Sequence, residues 1–264
     1  MPEEPQQDRC TMNELRKAMK YLAAGSALLL GGGSLVVFTL FLFFGSFNLV
    51  NLGLGQGGVL LLDAGLSLLF FLQHSGMVRR KFRRSLATIM PEEHYAALYA
   101  IASGAALLAV IFFWQEGALL VAAPPGLLRW SFRALFCLAI AGFLCCGLSL
   151  KYFDPFGIGP LLCRHGAKSE QVTLTITGPY RLVRHPLYLL SIVMIWSCPD
   201  LTTDRLLFNL LWTGWIVGGA YLEERDLIDE FGDSYREYRR RVPMFIPGLT
   251  GRKRKRTHED GPPE

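Results

Sequence analysis

Four long apolar segments constrain this chain more than any other feature of its sequence. They cover about residues 21–44, 57–78, 96–114 and 130–150, and charged or turn residues flank each of them. A helix needs roughly 20 apolar residues to cross the hydrocarbon core of a bilayer, where every backbone polar group must be paired within the protein. Since 51% of the 264 residues are hydrophobic, we expect an all-α, polytopic integral membrane protein.

Two shorter apolar segments follow at residues 187–198 and 205–222. We expect them to form a helical hairpin that is connected by the segment Pro199–Asp204. The first segment is short for a complete crossing, so a re-entrant pair and two full spans both fit the sequence. If both segments cross the membrane completely, the bundle has about six transmembrane spans. Gly214 and Gly218 have the small-xxx-small spacing that lets two helices approach closely.

Basic residues predict the orientation, because Lys and Arg in short loops stay on the cytoplasmic side. The cluster Arg79–Arg84 and the basic tail at residues 251–256 place both termini on that side. Considered without the rest of the chain, the tail resembles a nuclear-localisation signal or a patch that binds nucleic acid. After a membrane domain we expect it to meet the lipid bilayer and no nucleic acid. The predicted organisation is a cytoplasmic N-terminal segment (1–20), N-terminal transmembrane helices (21–150), a polar core with the hairpin (151–247) and a basic, disordered tail (248–264).

Ionisable residues that border the hairpin are the candidate functional residues, because polar groups at membrane depth are unfavourable unless they serve a function. Gly178 and Pro179 predict a turn, and Pro186 suits the first turn of a helix, where its missing N–H needs no partner. An anionic ligand at that helix end meets unpaired backbone N–H groups together with Arg181 or Arg184. The alternative is that the arginines and tyrosines here only anchor the helix at the membrane interface.

Two carboxylates, Glu223 and Glu224, follow the second helix of the hairpin. Residues 227–242 then predict an amphipathic helix with Tyr235 and Tyr238 on one side. A carboxylate directly after a buried span is unfavourable unless it is paired. Either glutamate is therefore expected to face a ligand cation or to pair with an arginine of the preceding motif. The alternative is a solvated helix end with local Glu–Arg pairs.

The order of these elements resembles a known superfamily. Gly-Pro-Tyr-Arg-x-Val-Arg-His-Pro-x-Tyr at residues 178–188, Glu-Glu-Arg at 223–225 and Val-Pro-x-x-Ile-Pro at 242–247 are similar to the isoprenylcysteine carboxyl methyltransferase-like membrane methyltransferases. The resemblance covers the last third of the chain. It implies that residues 151–247 form a methyltransferase core that binds the cofactor S-adenosyl-L-methionine at the cytoplasmic face. The cofactor-binding residues that it implies are Tyr180, Arg181, Arg184, His185, Pro186, Tyr188, Glu223, Glu224, Tyr235 and Tyr238.

The segment Phe-Leu-Gln-His-Ser-Gly-Met-Val-Arg at residues 71–79 narrows the resemblance. It is similar to the methanethiol S-methyltransferase group, which shares its Gln-His-Ser signature with the nuclear-envelope protein nurim. The resemblance implies that Gln73 and His74 contact the methyl acceptor, although a single histidine near a helix end more often has a structural role. Leu190 departs from the superfamily, which often has glycine there, and predicts altered helix packing beside the cofactor.

By this resemblance the protein is an S-adenosyl-L-methionine-dependent enzyme that methylates a small thiol, methanethiol, to dimethyl sulfide. Such a transfer is an in-line displacement that depends mainly on positioning, and the thiol reacts as its thiolate. We expect His74 or His185 to remove the thiol proton, with Glu224 as the third catalytic residue. No spacing of histidines or cysteines indicates a metal site. Two alternatives stay open: a membrane methyltransferase for another acceptor, such as isoprenylcysteine carboxylate or a lipid amine, and a noncatalytic nurim-like scaffold.

Overall fold

The computed structural model describes residues 6–150, 154–162, 174 and 176–248, with side chains from Thr11 onward. This part of the chain is mostly helical. The basic segment at residues 251–256 lies outside the described residues. The α-helices are α1 (Gln6–Ser26), α2 (Gly33–Phe44), α3 (Gln56–Val78), α4 (Arg80–Leu86), α5 (Tyr95–Phe113), α6 (Gly126–Ser149), α7 (Ile158–Leu162), α8 (Pro186–Trp196), α9 (Thr203–Phe231) and α10 (Asp233–Arg241).

Four helical segments are long and apolar enough to cross a membrane, in agreement with the four long apolar segments of the sequence. They are Thr11–Phe44, Gln56–Val78, Glu92–Phe113 and Gly126–Ser149. The first is one continuous rod, because a π-helical turn at Ala27–Gly32 joins α1 to α2. These segments make the chain a multi-pass helical membrane protein.

Close contact between α5 and the π-helical turn depends on glycine. A Cβ atom at Gly104 would overlap the backbone of Leu30 in that turn, and Gly31 also lies against α5. The two backbones can therefore approach only because side chains are absent at the contact. The prediction that another helix approaches closely at Gly214 and Gly218 is wrong. A Cβ atom at either position would meet nothing within 4 Å in the described part of the chain.

The predicted hairpin is present as α8 and α9. With 11 residues, α8 is about 16 Å long, which is roughly half the thickness of a hydrocarbon core. The connection contains a short strand, β2 (Leu201–Thr202), which pairs antiparallel with β1 (Leu120–Ala122). This pair could not be predicted from the sequence, because strands of two and three residues have no measurable periodicity.

The amphipathic helix expected at residues 227–242 has different boundaries in the structure. Its first residues belong to α9, which continues to Phe231. Gly232 then adopts a φ of +57°, a left-handed conformation that glycine tolerates and that ends the helix. The shorter helix α10 begins at Asp233.

The bundle has two ends, which we name by their contents. The motif end contains the N-terminus of α8 and the C-termini of α3 and α9, and it is joined by ion pairs between Arg79 and Asp226 (3.9 Å) and between Arg80 and Glu230 (3.1 Å). The opposite end contains the β1–β2 pair. The segment of α9 from Asp204 to Glu224, at 1.5 Å per residue, separates the two ends by roughly 30 Å.

Buried polar side chains connect the loops of the opposite end. Arg205 is 2% exposed and donates to two carbonyls in the last turns of α2, where a cation is favourable. Asp204 accepts the indole N–H of Trp114 at 3.1 Å and the backbone N–H of Gly117 at 2.9 Å. These contacts fix the start of α9 against α2 and against the connection between α5 and α6.

Candidate active site

The motif at residues 178–188 folds as a turn that leads directly into α8. Gly178 has a φ of +51° and begins a 3-10 turn, Gly178–Arg181. Pro186 is the first residue of α8, the position predicted from its missing N–H. His185 therefore lies at the N-terminus of α8, where it is 6% exposed.

The two carboxylates of α9 meet this segment. Oε1 of Glu224 lies 2.6 Å from Nε of Arg184 and 3.3 Å from Nε2 of His185. Oε2 of Glu223 lies 3.7 Å from Nδ1 of His185. Tyr188 stacks on the imidazole, with ring centroids 5.4 Å apart. The two helices of the hairpin thus converge on His185, whose ring lies between two carboxylates.

The segment after α10 packs against the same turn. The backbone N–H groups of Arg184 and His185 donate to the carbonyls of residues 243 and 244 at 2.9 and 3.2 Å. The hydroxyl of Tyr238 donates to the carbonyl of Tyr180 at 2.6 Å. The site is therefore built from three separate pieces of the chain: the motif, the end of α9 and the C-terminal segment with α10.

A cavity of about 260 Å³ lies beside His185. Its volume is close to the lower limit of roughly 300 Å³ for small-molecule sites. Eight of the ten cofactor-binding residues implied by the motif line it: Tyr180, Arg184, His185, Pro186, Tyr188, Glu223, Tyr235 and Tyr238. Five apolar residues that the sequence did not single out complete the wall: Leu150, Leu174, Ile176, Leu187 and Leu227.

The other two implied residues, Arg181 and Glu224, do not line the cavity. The exposed Arg181 donates its Nε–H to the carbonyl of Ile176 at 3.4 Å. Glu224 is 3% exposed and lies behind the cavity wall, where its second oxygen is 3.2 Å from Nε of Arg239. In this structure Glu224 holds two arginines and His185 in place instead of facing the cavity.

Arg184 makes most of its contacts within the protein. Its Nε pairs with Glu224, and its Nη1 donates to the carbonyl of Arg239 at 3.1 Å and to that of Val242. Among the described residues, Nη2 has no hydrogen-bond partner. A guanidinium has five N–H donors, so Arg184 retains donors for a ligand while its position is fixed by the other contacts.

The ionisable groups of the site have shifted pKa values. Burial, with the neighbouring Glu223 as a smaller contribution, raises the pKa of Tyr180 to about 12. Burial also raises the pKa of Tyr238 to about 12. Burial alone would raise the pKa of Glu224, but hydrogen bonds from His185 and Arg184 outweigh this effect and hold the pKa below its usual value. At neutral pH the two tyrosines are therefore neutral hydrogen-bond donors, and Glu224 is charged.

Gln73 and His74 lie on α3 and do not line the cavity. Nε2 of His74 is 2.7 Å from the hydroxyl of Tyr99, and the imidazole packs edge-on against Trp215. Nε2 of Gln73 is 3.4 Å from Oγ of Ser103. Its Oε1 is buried and has no hydrogen-bond partner among the described residues.

Tyr99 on α5 is a residue of this region that the sequence did not indicate. Its hydroxyl contacts His74, and its ring lies 5.1 Å from the imidazole between ring centroids. Tyr99 is therefore the residue of α5 that supports the Gln-His-Ser segment. A single tyrosine within an apolar segment has no sequence signal of its own, because it is equally typical of ordinary packing.

Comparison with known proteins supports the resemblance of the motifs. A family model described as NnrU protein matches residues 61–225. Methanethiol S-methyltransferase from a Pseudomonas species is 35% identical over 191 residues, which cover 71% of this chain and 73% of that protein. Methanethiol S-methyltransferase 2 from Bradyrhizobium diazoefficiens is 33% identical over 199 residues, which cover 75% of this chain and 77% of that protein.

The superfamily is represented by a more distant match. Protein-S-isoprenylcysteine O-methyltransferase from Schizosaccharomyces pombe is 32% identical over 111 residues, which cover 40% of this chain and 47% of that protein. No solved structure matches the chain. The region matched by the family model runs from α3, with the Gln-His-Ser segment, to the two carboxylates of α9. The chain therefore belongs to the NnrU family and is a relative of the methanethiol S-methyltransferases.

Proposed function

We propose that this protein is an S-adenosyl-L-methionine-dependent membrane methyltransferase that converts methanethiol into dimethyl sulfide. The names of the relatives support the reaction. The observation that carries the proposal is the cavity at the motif end, because eight residues implied for the methyl donor line this one space.

The cavity residues fit the chemical groups of this donor. The side chain of Glu223 is 45% exposed. Its carboxylate suits the ammonium group or the ribose hydroxyls of the donor. The aromatic faces of Tyr180 and Tyr188 suit an adenine ring or a sulfonium cation. Nη2 of Arg184 and the first N–H groups of α8 provide donors for a carboxylate.

When bound, the donor supplies a methyl group whose carbon is electrophilic because it is attached to a sulfonium sulfur. The thiol must first lose its proton, and the imidazole at the cavity is His185: its Nε2 pairs with Glu224 at 3.3 Å, and its Nδ1, 3.7 Å from Glu223, is the nitrogen left to accept that proton. The thiolate sulfur then forms a bond to the methyl carbon while the bond from that carbon to the sulfonium sulfur breaks. Charge disappears in this step, so apolar walls that exclude water favour it.

We place the acceptor on the side of the cavity towards Tyr99, with His74 as the second candidate base. Tyr99 holds the imidazole of His74 through its hydroxyl. The unpartnered Oε1 of Gln73 is a buried acceptor, which is unfavourable unless a ligand group pairs with it. The rings of Phe70, Tyr99 and Trp215 surround the neighbouring His74, and aromatic rings pack favourably against sulfur.

We also propose that the chain crosses the membrane six times, with the motif end and both termini in the cytoplasm. α9 runs between the same two ends as the four long apolar segments, and α8 together with the connection at residues 197–200 leads from the motif end to β2 at the opposite end. The basic cluster Arg79–Arg84 lies at the motif end, and Lys and Arg favour the cytoplasmic side.

The test is transfer of a labelled methyl group. Purified protein in lipid nanodiscs is mixed with methyl-labelled S-adenosylmethionine and methanethiol, and labelled dimethyl sulfide is measured in the headspace. We expect product from the wild type and from Asp229→Asn, which changes an exposed carboxylate of α9 outside the cavity. We expect much less from Glu223→Gln. Folded protein that releases no labelled product from methanethiol contradicts the proposal.

A further inference from the structure

A second open cleft, of about 560 Å³, lies next to the proposed donor cavity and shares Arg184 with it. Four of its five lining residues are arginines: Arg184, Arg236, Arg239 and Arg240, together with Asp233. We call it the arginine cleft. The proposed methyl transfer gives no role to Asp233, Arg236 or Arg240, which line only this cleft, so the cleft calls for a separate explanation.

The cleft is formed by the polar face of α10. Tyr235 and Tyr238 are buried on the other face of this helix. Arg236, Arg239 and Arg240 are exposed and lie three or four residues apart, which places them on one face. The helix therefore uses its tyrosines to dock onto the bundle and presents its arginines outward.

The acidic residues of this region do not balance the arginines. Five arginines face three carboxylates: Glu224 pairs with Arg184 and Arg239, Glu237 pairs with Arg240 and Arg241, and Asp233 pairs with Arg236. A surplus of two positive charges remains. Each guanidinium has five N–H donors, and these pairs occupy only some of them, so donors remain for an anion.

The position of the cleft relative to the apolar surface indicates the source of that anion. The apolar part of α9 ends near Leu222. The polar last turns of α9 follow, and α10 begins at Asp233. Beside the motif turn and the C-terminal segment, the large apolar side chains of Leu182 and Ile246 are exposed. The cleft thus lies where helices leave the hydrocarbon, at the depth of lipid headgroups, with apolar side chains nearby for an acyl chain.

We propose that the arginine cleft binds the phosphate of an anionic phospholipid headgroup. Arginine suits this ligand because its planar guanidinium can donate two parallel hydrogen bonds to phosphate oxygens. A bound phosphodiester carries one negative charge and offsets one of the two surplus positive charges on α10. Since Arg184 and Arg239 also hold Glu224 behind His185, the lipid site adjoins the wall of the proposed donor cavity.

The experiment measures binding of a short-chain fluorescent phosphatidylglycerol to the purified full-length protein in neutral detergent. The test variant is the double substitution Arg236→Gln and Arg240→Gln, which leaves Arg184 and Arg239 in place. The control is Lys81→Gln with Arg84→Gln, which removes two exposed charges from α4 at the same end of the bundle. Both variants are first compared with the wild type for thermal unfolding, and only variants with unchanged midpoints are used.

We expect the lipid Kd to rise at least about 10-fold in the cleft variant, since each basic residue near an anionic surface contributes roughly fivefold. In the control we expect less than about a threefold change. Equal losses in both variants overturn the proposal, because they indicate diffuse attraction. Competition by inorganic phosphate as effective as that by phosphatidylglycerol also overturns it, because it indicates a site for a soluble ion. No methyl donor is present, so the result is independent of the proposed enzyme activity.

Discussion

The two ends of the bundle both bury ionisable groups, but the surroundings of these groups differ. At the opposite end, Asp204 and Arg205 are at most 3% exposed, and they bind Trp114, a loop N–H group and carbonyls at the end of α2. At the motif end, Arg184 and the buried His185 pair with Glu224 and border a cavity. Buried charge is therefore not sufficient to indicate a ligand site in this protein. Buried charge beside a cavity is the more informative combination.

The comparison has a physical consequence for substitutions. A side chain that pairs with loop backbone groups leaves them unsatisfied when it is removed, so the free energy of unfolding falls. A side chain that faces a cavity can be exchanged for an isosteric neutral one with little effect on folding. The opposite end is thus expected to control stability, and the motif end is expected to control ligand binding.

The largest effect is expected for Asp204→Ala. This change removes the acceptor for Trp114 Nε1–H and for the N–H of Gly117, and it takes a negative charge away from the buried Arg205. Loss of one partner of a buried charged group costs about 3–5 kcal/mol. This loss of unfolding free energy is measured by monitoring the unfolding of the protein in detergent with circular dichroism. A variant as stable as the wild type contradicts a structural role for the opposite end.

Glu223→Gln is expected to weaken binding of S-adenosylmethionine roughly 10- to 100-fold, since a hydrogen bond to a charged group contributes about 1.5–3 kcal/mol. The unfolding midpoint is expected to stay unchanged, because this side chain is 45% exposed. Isothermal titration calorimetry gives the Kd, and Asp229→Asn is the matched control. If both variants bind the donor with the same Kd as the wild type, Glu223 does not contact the donor.

Tyr99→Phe is expected to raise the KM for methanethiol about 2- to 10-fold, the effect of one net hydrogen bond of 0.5–1.5 kcal/mol. The Kd for the donor should not change, because Tyr99 lies outside the cavity lining. Tyr95→Phe serves as the control, since Tyr95 lies one turn away and donates to the carbonyl of Met77 instead of contacting His74. Equal KM values for the two variants would assign Tyr99 a purely structural role.

The smallest effect concerns pH. Because the pKa of Glu224 in the folded protein lies below the ordinary value of 4.5, its ion pairs stabilise the fold fully above that value. The stabilisation is lost as the pH falls through the lower, folded pKa. We expect the unfolding midpoint of the wild type to decrease below about pH 4.5, and Glu224→Gln to lack this part of the decrease. Parallel pH profiles for both proteins contradict the assignment.

The parts of the site that could be predicted from sequence are local. Pro186 marks the start of α8 because the geometry of a single residue decides it, and Gly178 marks the turn for the same reason. Glu223 meets the motif because the two helices of a short hairpin must be neighbours. Each of these inferences needs only a few adjacent residues.

The parts that could not be predicted depend on distant packing. Glu223 and Glu224 are adjacent in sequence, yet one faces the cavity and the other lies behind its wall next to Arg239. Helical periodicity separates the two side chains, but only the position of α10 decides which of them is covered. Tyr99 is a similar case, since its role depends on its contact with His74 of α3.

The most direct test of the account is to locate the donor by photocross-linking. Radiolabelled S-adenosylmethionine is irradiated with the wild-type protein in nanodiscs, and labelled peptides are identified by mass spectrometry. We expect the label at the cavity tyrosines, Tyr180, Tyr188 and Tyr235, and its loss in the presence of excess unlabelled donor. Competable label confined to peptides of the opposite end, around Asp204 and Arg205, would show that the motif end is not the donor site.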